Sequence, residues 1–173
     1  MLCGAGTYLC LIHGQTSGAA LLQFLLFIFV FAVSNSAYGF LVNDLGDREL
    51  DRLHGKRNTF AELGMAGGMR VLAAVCAVML LSSLPFVSKP GFLPLWGLWW
   101  LACTSYSLPP LRLKQRGLPG LVVSSLAQST LPIFLTAAAL VPGSYGEVWI
   151  FMLASTLCGA TQELAHQRYD RSN

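Results

Sequence analysis

Hydrophobic residues fill long stretches of this 173-residue chain, and charged residues are confined to short segments between them. A helix needs about 20 apolar residues to cross the hydrocarbon core of a bilayer. The uncharged stretches are long enough to predict helices at residues 20–42, 65–87, 92–108, 118–141 and 147–165. The pattern therefore predicts an all-α transmembrane bundle. It leaves the apolar residues 1–14 as the end, or a remnant, of a further helix.

Prolines predict two features of these helices. Pro109 and Pro110 end the third helix, because proline cannot donate the backbone hydrogen bond that continues a helix. Pro132 lies inside the fourth helix and predicts a kink there. Membrane helices tolerate such a kink when neighbouring groups satisfy the freed carbonyl.

Composition agrees with a membrane protein, since 54% of the residues are hydrophobic and only 11% are charged. Soluble domains usually carry about 25% charged residues. This excludes an ordinary soluble domain, a disordered tail and a basic nucleic-acid-binding protein, and residues 1–173 are treated as a single transmembrane domain. The five cysteines form no CxxC pair and have no histidine at ligand spacing, so they indicate helix packing, without a disulfide framework or zinc site.

The distribution of basic residues predicts how the chain lies across the membrane. With five crossings, segments 43–64, 109–117 and 166–173 fall on one side, and the two short turns between the other helix ends fall on the opposite side. The opposite side holds only Lys89. The first side holds Arg48, Arg52, Lys56, Arg57, Arg112, Lys114, Arg116, Arg168 and Arg171. Since basic loops mark the cytoplasmic side, we expect a protein of the cell (inner) membrane whose polar segments gather at the cytoplasmic face.

An acidic motif follows the first predicted helix without a break. Asn43, Asp47 and Asp51 are spaced four residues apart. If the helix continues they lie on one face, each about 40° on from the last, and Asp44 lies beside that face. Oxygen ligands stacked in this way at a membrane surface suit Mg²⁺, which binds one or two carboxylates and completes its shell with water and substrate phosphate.

Basic residues near the acidic motif decide how it is interpreted. Lys56 and Arg57 follow closely and could neutralise phosphate oxygens. The alternative is a solvated juxtamembrane loop in which aspartates and arginines form mere surface pairs. Two further polar segments on the same side favour a shared site: residues 105–117 carry a tyrosine and three cations, and residues 162–173 carry Asp and His.

At these segments the sequence resembles the UbiA superfamily of membrane prenyltransferases. The first acidic motif of that family has the form NDxxDxxxD, which residues Asn43–Asp51 match at every fixed position. Residues Tyr106–Lys114 look like the basic segment that many members carry between their two acidic motifs. Residues His166–Asp170 are similar to the start of the second motif, which has the form DxxxD and often follows His-Gln.

The resemblance implies a bundle of about nine transmembrane helices around a central cavity, of which this chain would supply five to six. The second motif begins at Asp170, so its partner would fall one position beyond Asn173. We therefore expect residues 1–173 to form a single partial transmembrane prenyltransferase domain, as a fragment or a truncated gene product that covers roughly the first two-thirds of a family member. Activity of this chain alone is not implied.

The activity implied by the resemblance is Mg²⁺-dependent transfer of an isoprenoid chain from a prenyl diphosphate to an acceptor. An aromatic acceptor of quinone or related isoprenoid biosynthesis is the default expectation. The implied metal ligands are Asn43, Asp44, Asp47, Asp51 and Asp170. Of these, the implied catalytic residues are Asp47, Asp51 and Asp170. The implied diphosphate-binding residues are Lys56, Arg57, Tyr106, Arg112 and Lys114.

Two other polar features have open interpretations. His166 is either a partner of the second motif or an ordinary polar residue at a helix end. Ser34, Asn35, Ser36 and Tyr38 form a polar break in the first predicted helix. Polar groups at membrane depth usually face the bundle interior, so this break predicts an acceptor pocket or, at least equally, hydrogen bonds between helices.

Two rival functions remain at this point. One is a non-enzymatic polytopic membrane protein, either a transporter fragment or a degenerate family member, whose Asp cluster binds a cation only for structure. The other is a phospholipid-type phosphotransferase, but its compact Asp-Gly…Ala-Arg pattern is absent from the sequence. The expected partners are a prenyl diphosphate, a small-molecule acceptor and the lipid bilayer, with no nucleic acid.

Overall fold

The computed structural model describes residues 2–14 and 17–172, including the side chains of residues 5–14, 17–161 and 165. Every regular element in these residues is helical, which confirms the all-α prediction. In chain order the helices are α1 (Leu2–Ile12), α2 (Gly18–Leu53), α3 (Thr59–Glu62), α4 (Gly64–Ser83), α5 (Phe92–Ser107), α6 (Leu118–Leu140) and α7 (Trp149–Ser172). Short 3₁₀ turns at Leu113–Gln115 and Ser144–Glu147 precede α6 and α7.

Each predicted helix has a counterpart in the structure, and the largest difference is the length of the first. Helix α2 continues to Leu53, well past the predicted end at residue 42, so the whole acidic motif is helical. Helix α5 ends at Ser107, because Leu108 takes an extended backbone before Pro109. At Pro132 the predicted interruption takes the form of a wider π-helical turn, Leu126–Thr130, after which α6 continues.

Within the described residues, α2, α4 and α6 are long and apolar enough to cross a membrane. Helix α5 has 16 residues, and the apolar part of α7, Trp149–Thr161, is also shorter than the roughly 20 residues of a full span. Large apolar side chains such as Leu22 and Leu81 lie exposed on the outer faces of these helices. Helices that are apolar on their outer faces as well are typical of membrane spans, and the chain is an integral membrane protein.

The helices pack around α2 and α6. Helix α2 lies against α4 and α5, and α6 lies against α1, α5 and α7. At the end of α2 that is distant from the acidic motif, an aromatic cluster joins α2, α5 and the turn after α4. Its ring centroids are 5.2–6.1 Å apart, and its members are Phe27, Phe31, Phe86, Phe92 and Trp96.

The polar break in α2 contributes hydrogen bonds between helices. Trp96 donates its indole N–H to Asn35 Oδ1 at 2.8 Å, and the hydroxyls of Tyr38 and Thr104 pair at 3.0 Å. The two serines of this break donate to carbonyl groups of α2 itself. These contacts hold α5 beside α2, so helix–helix bonding accounts for Asn35 and Tyr38, although Asn35 also lines a cavity described below.

Two glycines allow the close approaches that shape the polar end of the bundle. A Cβ atom at Gly46 would lie 2.5 Å from the backbone oxygen of Ser107, so α2 and the end of α5 meet there almost backbone to backbone. A Cβ atom at Gly120 would clash with the backbone oxygen of Leu113, where the basic segment packs on the start of α6. Small residues are what lets membrane helices approach this closely.

Candidate active site

A cavity of about 870 Å³ lies between α2, α5, α6 and the segment that joins α5 to α6. Its polar end is lined by Asn43, Asp47, Asp51, Lys56 and Lys114. Further along, the wall is largely apolar and includes Phe27, Phe31, Trp99, Pro132 and Leu135. One cavity therefore joins a charged mouth to an apolar interior, a shape that suits a ligand with a charged head and a hydrocarbon tail.

The three oxygen-bearing residues of the acidic motif reach the cavity because α2 remains helical through the motif. Asn43, Asp47 and Asp51 lie one turn apart and all line the cavity, as the spacing predicts. The side chain of Asp47 is 16% exposed, so its charge has little access to water. A carboxylate in that position needs partners.

Asp47 has two cationic partners from the basic segment. Lys114 Nζ donates to Asp47 Oδ2 at 2.5 Å, and Arg112 Nη2 donates to Asp47 Oδ1 at 2.9 Å. Lys114 Nζ also donates to Asn43 Oδ1 at 2.8 Å. The Lys114 and Arg112 side chains are 14% and 28% exposed, so solvent screens these charge-assisted bonds less than it would screen a surface pair.

The position of the Lys114 ammonium shows where a metal ion would fit among these residues. Oxygens of Asn43 and Asp47 converge on that one cation, and Asp51 faces the same cavity one turn further along α2. In the described part of the chain there is no group of three His, Cys, Asp or Glu residues placed to hold a metal. Two carboxylates and an amide oxygen fit Mg²⁺, which takes its remaining ligands from water and phosphate.

The backbone of the basic segment presents both cations to α2. Arg112 adopts a left-handed conformation with φ of 38°, and its N–H donates to the Leu108 carbonyl at 2.9 Å. This conformation costs a non-glycine residue about 1–2 kcal/mol, which the ion pair with Asp47 helps to offset. The 3₁₀ turn Leu113–Gln115 then directs Lys114 into the cavity.

Sequence reasoning missed Asn58, which positions Asp51. Asn58 is 2% exposed, and its Nδ2 donates to Asp51 Oδ2 and to the Asp44 carbonyl, both at 2.8 Å. Its Oδ1 accepts the N–H groups of Phe60 and Ala61 at the start of α3. An Asn directly before a short helix is a recognisable N-cap signal, but that signal does not reveal the contact with Asp51.

The structure places the other predicted site residues unequally. Lys56 and Tyr106 line the cavity. Asp44 does not belong to the cavity wall, because its Oδ2 accepts the Thr59 N–H at 2.9 Å and so anchors α3 to α2. Arg57 is 93% exposed and pairs with Glu62 at 3.2 Å.

Two predicted residues of the second motif lie on α7. The side chains of Asp170 and His166 are outside the described part of the chain, so their predicted roles stay predictions. The backbone of α7 runs from Trp149 to Ser172, and the helix packs against α6.

Comparison with known proteins identifies one family. The model of the UbiA prenyltransferase family matches residues 3–172 of the chain. No curated protein and no solved structure matched it.

Proposed function

Because the chain belongs to the UbiA prenyltransferase family, we propose that it transfers an isoprenoid chain from a prenyl diphosphate to an acceptor in the cavity. The transfer depends on Mg²⁺, the acceptor is aromatic, and the product belongs to quinone or related isoprenoid biosynthesis. The polar end of the cavity lies at the cytoplasmic face of the cell's inner membrane, because the basic loops gather there.

The cavity is the observation that carries this proposal. A prenyl diphosphate has a charged head and a branched hydrocarbon tail, and the cavity has a charged mouth and an apolar interior in the same order. The aromatic rings of Phe27 and Phe31 stack at 5.2 Å and form part of the apolar wall of the interior. The tail would lie along this wall, which also excludes water from the reacting carbon.

The residues at the mouth divide into oxygen donors and cations. Asn43, Asp47 and Asp51 would hold Mg²⁺, which when bound supplies positive charge to the diphosphate as it leaves. Lys56 and Lys114 reach the same space from the loop after α2 and from the basic segment, and they would bind phosphate oxygens. Asp170 would contribute from the second motif. Asp44 and Arg57 would support the loop at the mouth.

The reaction exchanges one bond to an allylic carbon for another. The C–O bond between that carbon and the diphosphate breaks, and its electron pair leaves with the diphosphate. The acceptor forms a new bond to the same carbon and releases a proton to solvent. Tyr106, which lines the cavity, would orient the phosphate oxygens or shield the allylic cation, while the apolar walls delay capture of that cation by water.

The test uses the full chain, purified in detergent and supplied with farnesyl diphosphate and a panel of hydroxylated aromatic acids. We expect diphosphate release and prenylated product only when Mg²⁺ is present, and we expect Asp47→Asn and Asp51→Asn to abolish both. Glu49→Gln is the matched control, because it removes the same charge from the same helix at a side chain that is 65% exposed. Its turnover should equal that of the wild type.

Two outcomes would refute the proposal. Turnover that persists in Asp47→Asn and Asp51→Asn would show that the acidic motif is not the site. A folded chain that neither binds nor consumes any prenyl diphosphate would favour the non-enzymatic membrane protein, in which the acidic residues serve only structure.

A further inference from the structure

We infer that Lys114 is a built-in counter-ion that occupies the cation position between Asn43 and Asp47 until a diphosphate arrives, and then transfers to the phosphate oxygens. The inference rests on the proposed function. It adds that the protein exchanges one cation for another at the same pair of oxygens, so that metal and diphosphate bind together much better than either binds alone.

The contacts of Lys114 place its ammonium where a metal ion would bind. Nζ lies 2.5 Å from Asp47 Oδ2 and 2.8 Å from Asn43 Oδ1. The side chain is only 14% exposed, and that of Asp47 is 16% exposed. Two cations cannot share this space, because like charges at such short range repel strongly in a poorly solvated site. A metal ion that binds Asn43 and Asp47 must therefore displace the ammonium.

Displacement of the ammonium is costly unless the charge finds a new partner. A buried ammonium that loses its acceptors retains its desolvation penalty. Among the residues whose side chains the structure describes, Asp51 is the only acidic residue besides Asp47 that lines the cavity, and it is already bonded to Asn58 at 2.8 Å. A diphosphate supplies phosphate oxygens in the same cavity, so its arrival and the binding of the metal favour each other.

Arg112 keeps Asp47 in place during the exchange. Its Nη2 holds Oδ1 of Asp47 at 2.9 Å, whereas Lys114 holds Oδ2. The two carboxylate oxygens therefore have separate partners, and removal of the ammonium from Oδ2 leaves the carboxylate still oriented by the guanidinium. This division of contacts distinguishes Lys114, which must move, from Arg112, which need not.

The experiment measures binding of Mn²⁺, as a paramagnetic substitute for Mg²⁺, to the full chain in detergent by electron paramagnetic resonance. Wild type, Lys114→Met and Lys56→Met are compared with and without inorganic pyrophosphate. Without pyrophosphate, we expect Lys114→Met to bind Mn²⁺ about tenfold more tightly than the wild type, because the competing charge-assisted bonds are gone. With pyrophosphate, this advantage should disappear.

Lys56→Met is the matched control. It removes the same charge from the same cavity, but among the described residues Lys56 has no side-chain bond to Asn43 or Asp47. Its gain in Mn²⁺ affinity should be much smaller, since it reports only the change in net charge. Lys114→Gln repeats the test with a neutral polar side chain if Lys114→Met does not fold.

The outcomes separate this inference from the proposed function. Equal or weaker Mn²⁺ binding in folded Lys114→Met, or an equal gain in Lys56→Met, would overturn the exchange. Retained Mg²⁺-dependent turnover by the wild type in the same preparation would leave the proposed function intact. If no variant binds Mn²⁺ with or without pyrophosphate, both ideas fail.

Discussion

Gly46 lies where α2 passes the end of α5, and its replacement by Ala should damage the site without changing any residue that lines the cavity. A Cβ atom there would lie 2.5 Å from the Ser107 oxygen, whereas ordinary contact begins at 3.4 Å. The two backbones must therefore separate by about 1 Å. Ser107 leads directly into the segment that carries Arg112 and Lys114, so the shift moves both cations relative to Asp47.

The expected magnitude follows from this displacement. Overpacking of a tight contact costs about 1–3 kcal/mol, and the better helix propensity of Ala returns about 0.5–1 kcal/mol. We expect a net loss of about 1–2 kcal/mol in the free energy of unfolding. A misplacement near 1 Å in a catalytic arrangement can reduce the rate about 10²-fold, so turnover should fall far more than stability.

The assay pairs thermal unfolding in detergent with the rate of diphosphate release. Gly97→Ala is the matched control, because a Cβ atom at Gly97 on α5 meets nothing within 4 Å. That variant should retain its turnover and unfold at the same temperature as the wild type or slightly above it. If Gly46→Ala also retains wild-type turnover, the close approach of α2 and α5 does not position the basic segment, and the reasoning is wrong.

Two further changes test contacts at opposite ends of the molecule. Asn58→Ala should lower the free energy of unfolding by about 2–4 kcal/mol through loss of the cap and of its bonds at Asp51. It should also raise the Mg²⁺ concentration required for turnover. Asn58→Ser keeps a capping oxygen, so it should recover the part of the stability that the cap contributes but not the wild-type Mg²⁺ requirement. Equal Mg²⁺ titrations for all three proteins would contradict this role. At the other end, Glu147 pairs with His13 at 2.6 Å, with side chains 42% and 32% exposed. Glu147→Gln should change the free energy of unfolding by less than about 1 kcal/mol. It should leave turnover unchanged, because α6 separates this pair from the charged mouth of the cavity. A loss of turnover in a stable variant would show that the two ends of the molecule are coupled.

The candidate site shows which features helical periodicity predicts and which it does not. The four-residue spacing of Asn43, Asp47 and Asp51 correctly predicts that all three face one side of α2. The same spacing argument puts Asp44 beside them, but its carboxylate bonds to the Thr59 N–H instead. The angular position of a residue around its own helix is a local property, whereas the choice of bonding partner depends on which loop folds back on that helix.

Arg57 and Asn58 illustrate the same limit in a loop. Both follow the acidic motif, and a basic residue close to aspartates is a reasonable phosphate ligand on sequence grounds. The structure directs Arg57 outward to Glu62 and buries Asn58 against Asp51. Loop residues have no fixed period, so neither direction could be predicted from spacing.

The order of residues along the chain is enough to establish a helical membrane protein and the face of α2 that carries the acidic motif. Both follow from short-range physics: the bilayer selects runs of apolar residues by length and composition, and the α-helix fixes the angle between successive residues. Two other features emerge only from the folded bundle. Lys114 and Arg112 meet Asp47, which lies more than sixty positions away in the chain, and Gly46 allows the close approach between α2 and α5. Those contacts depend on how helices pack against one another, because a side chain's partner across a bundle is set by the shapes of both surfaces and not by its own neighbours in sequence.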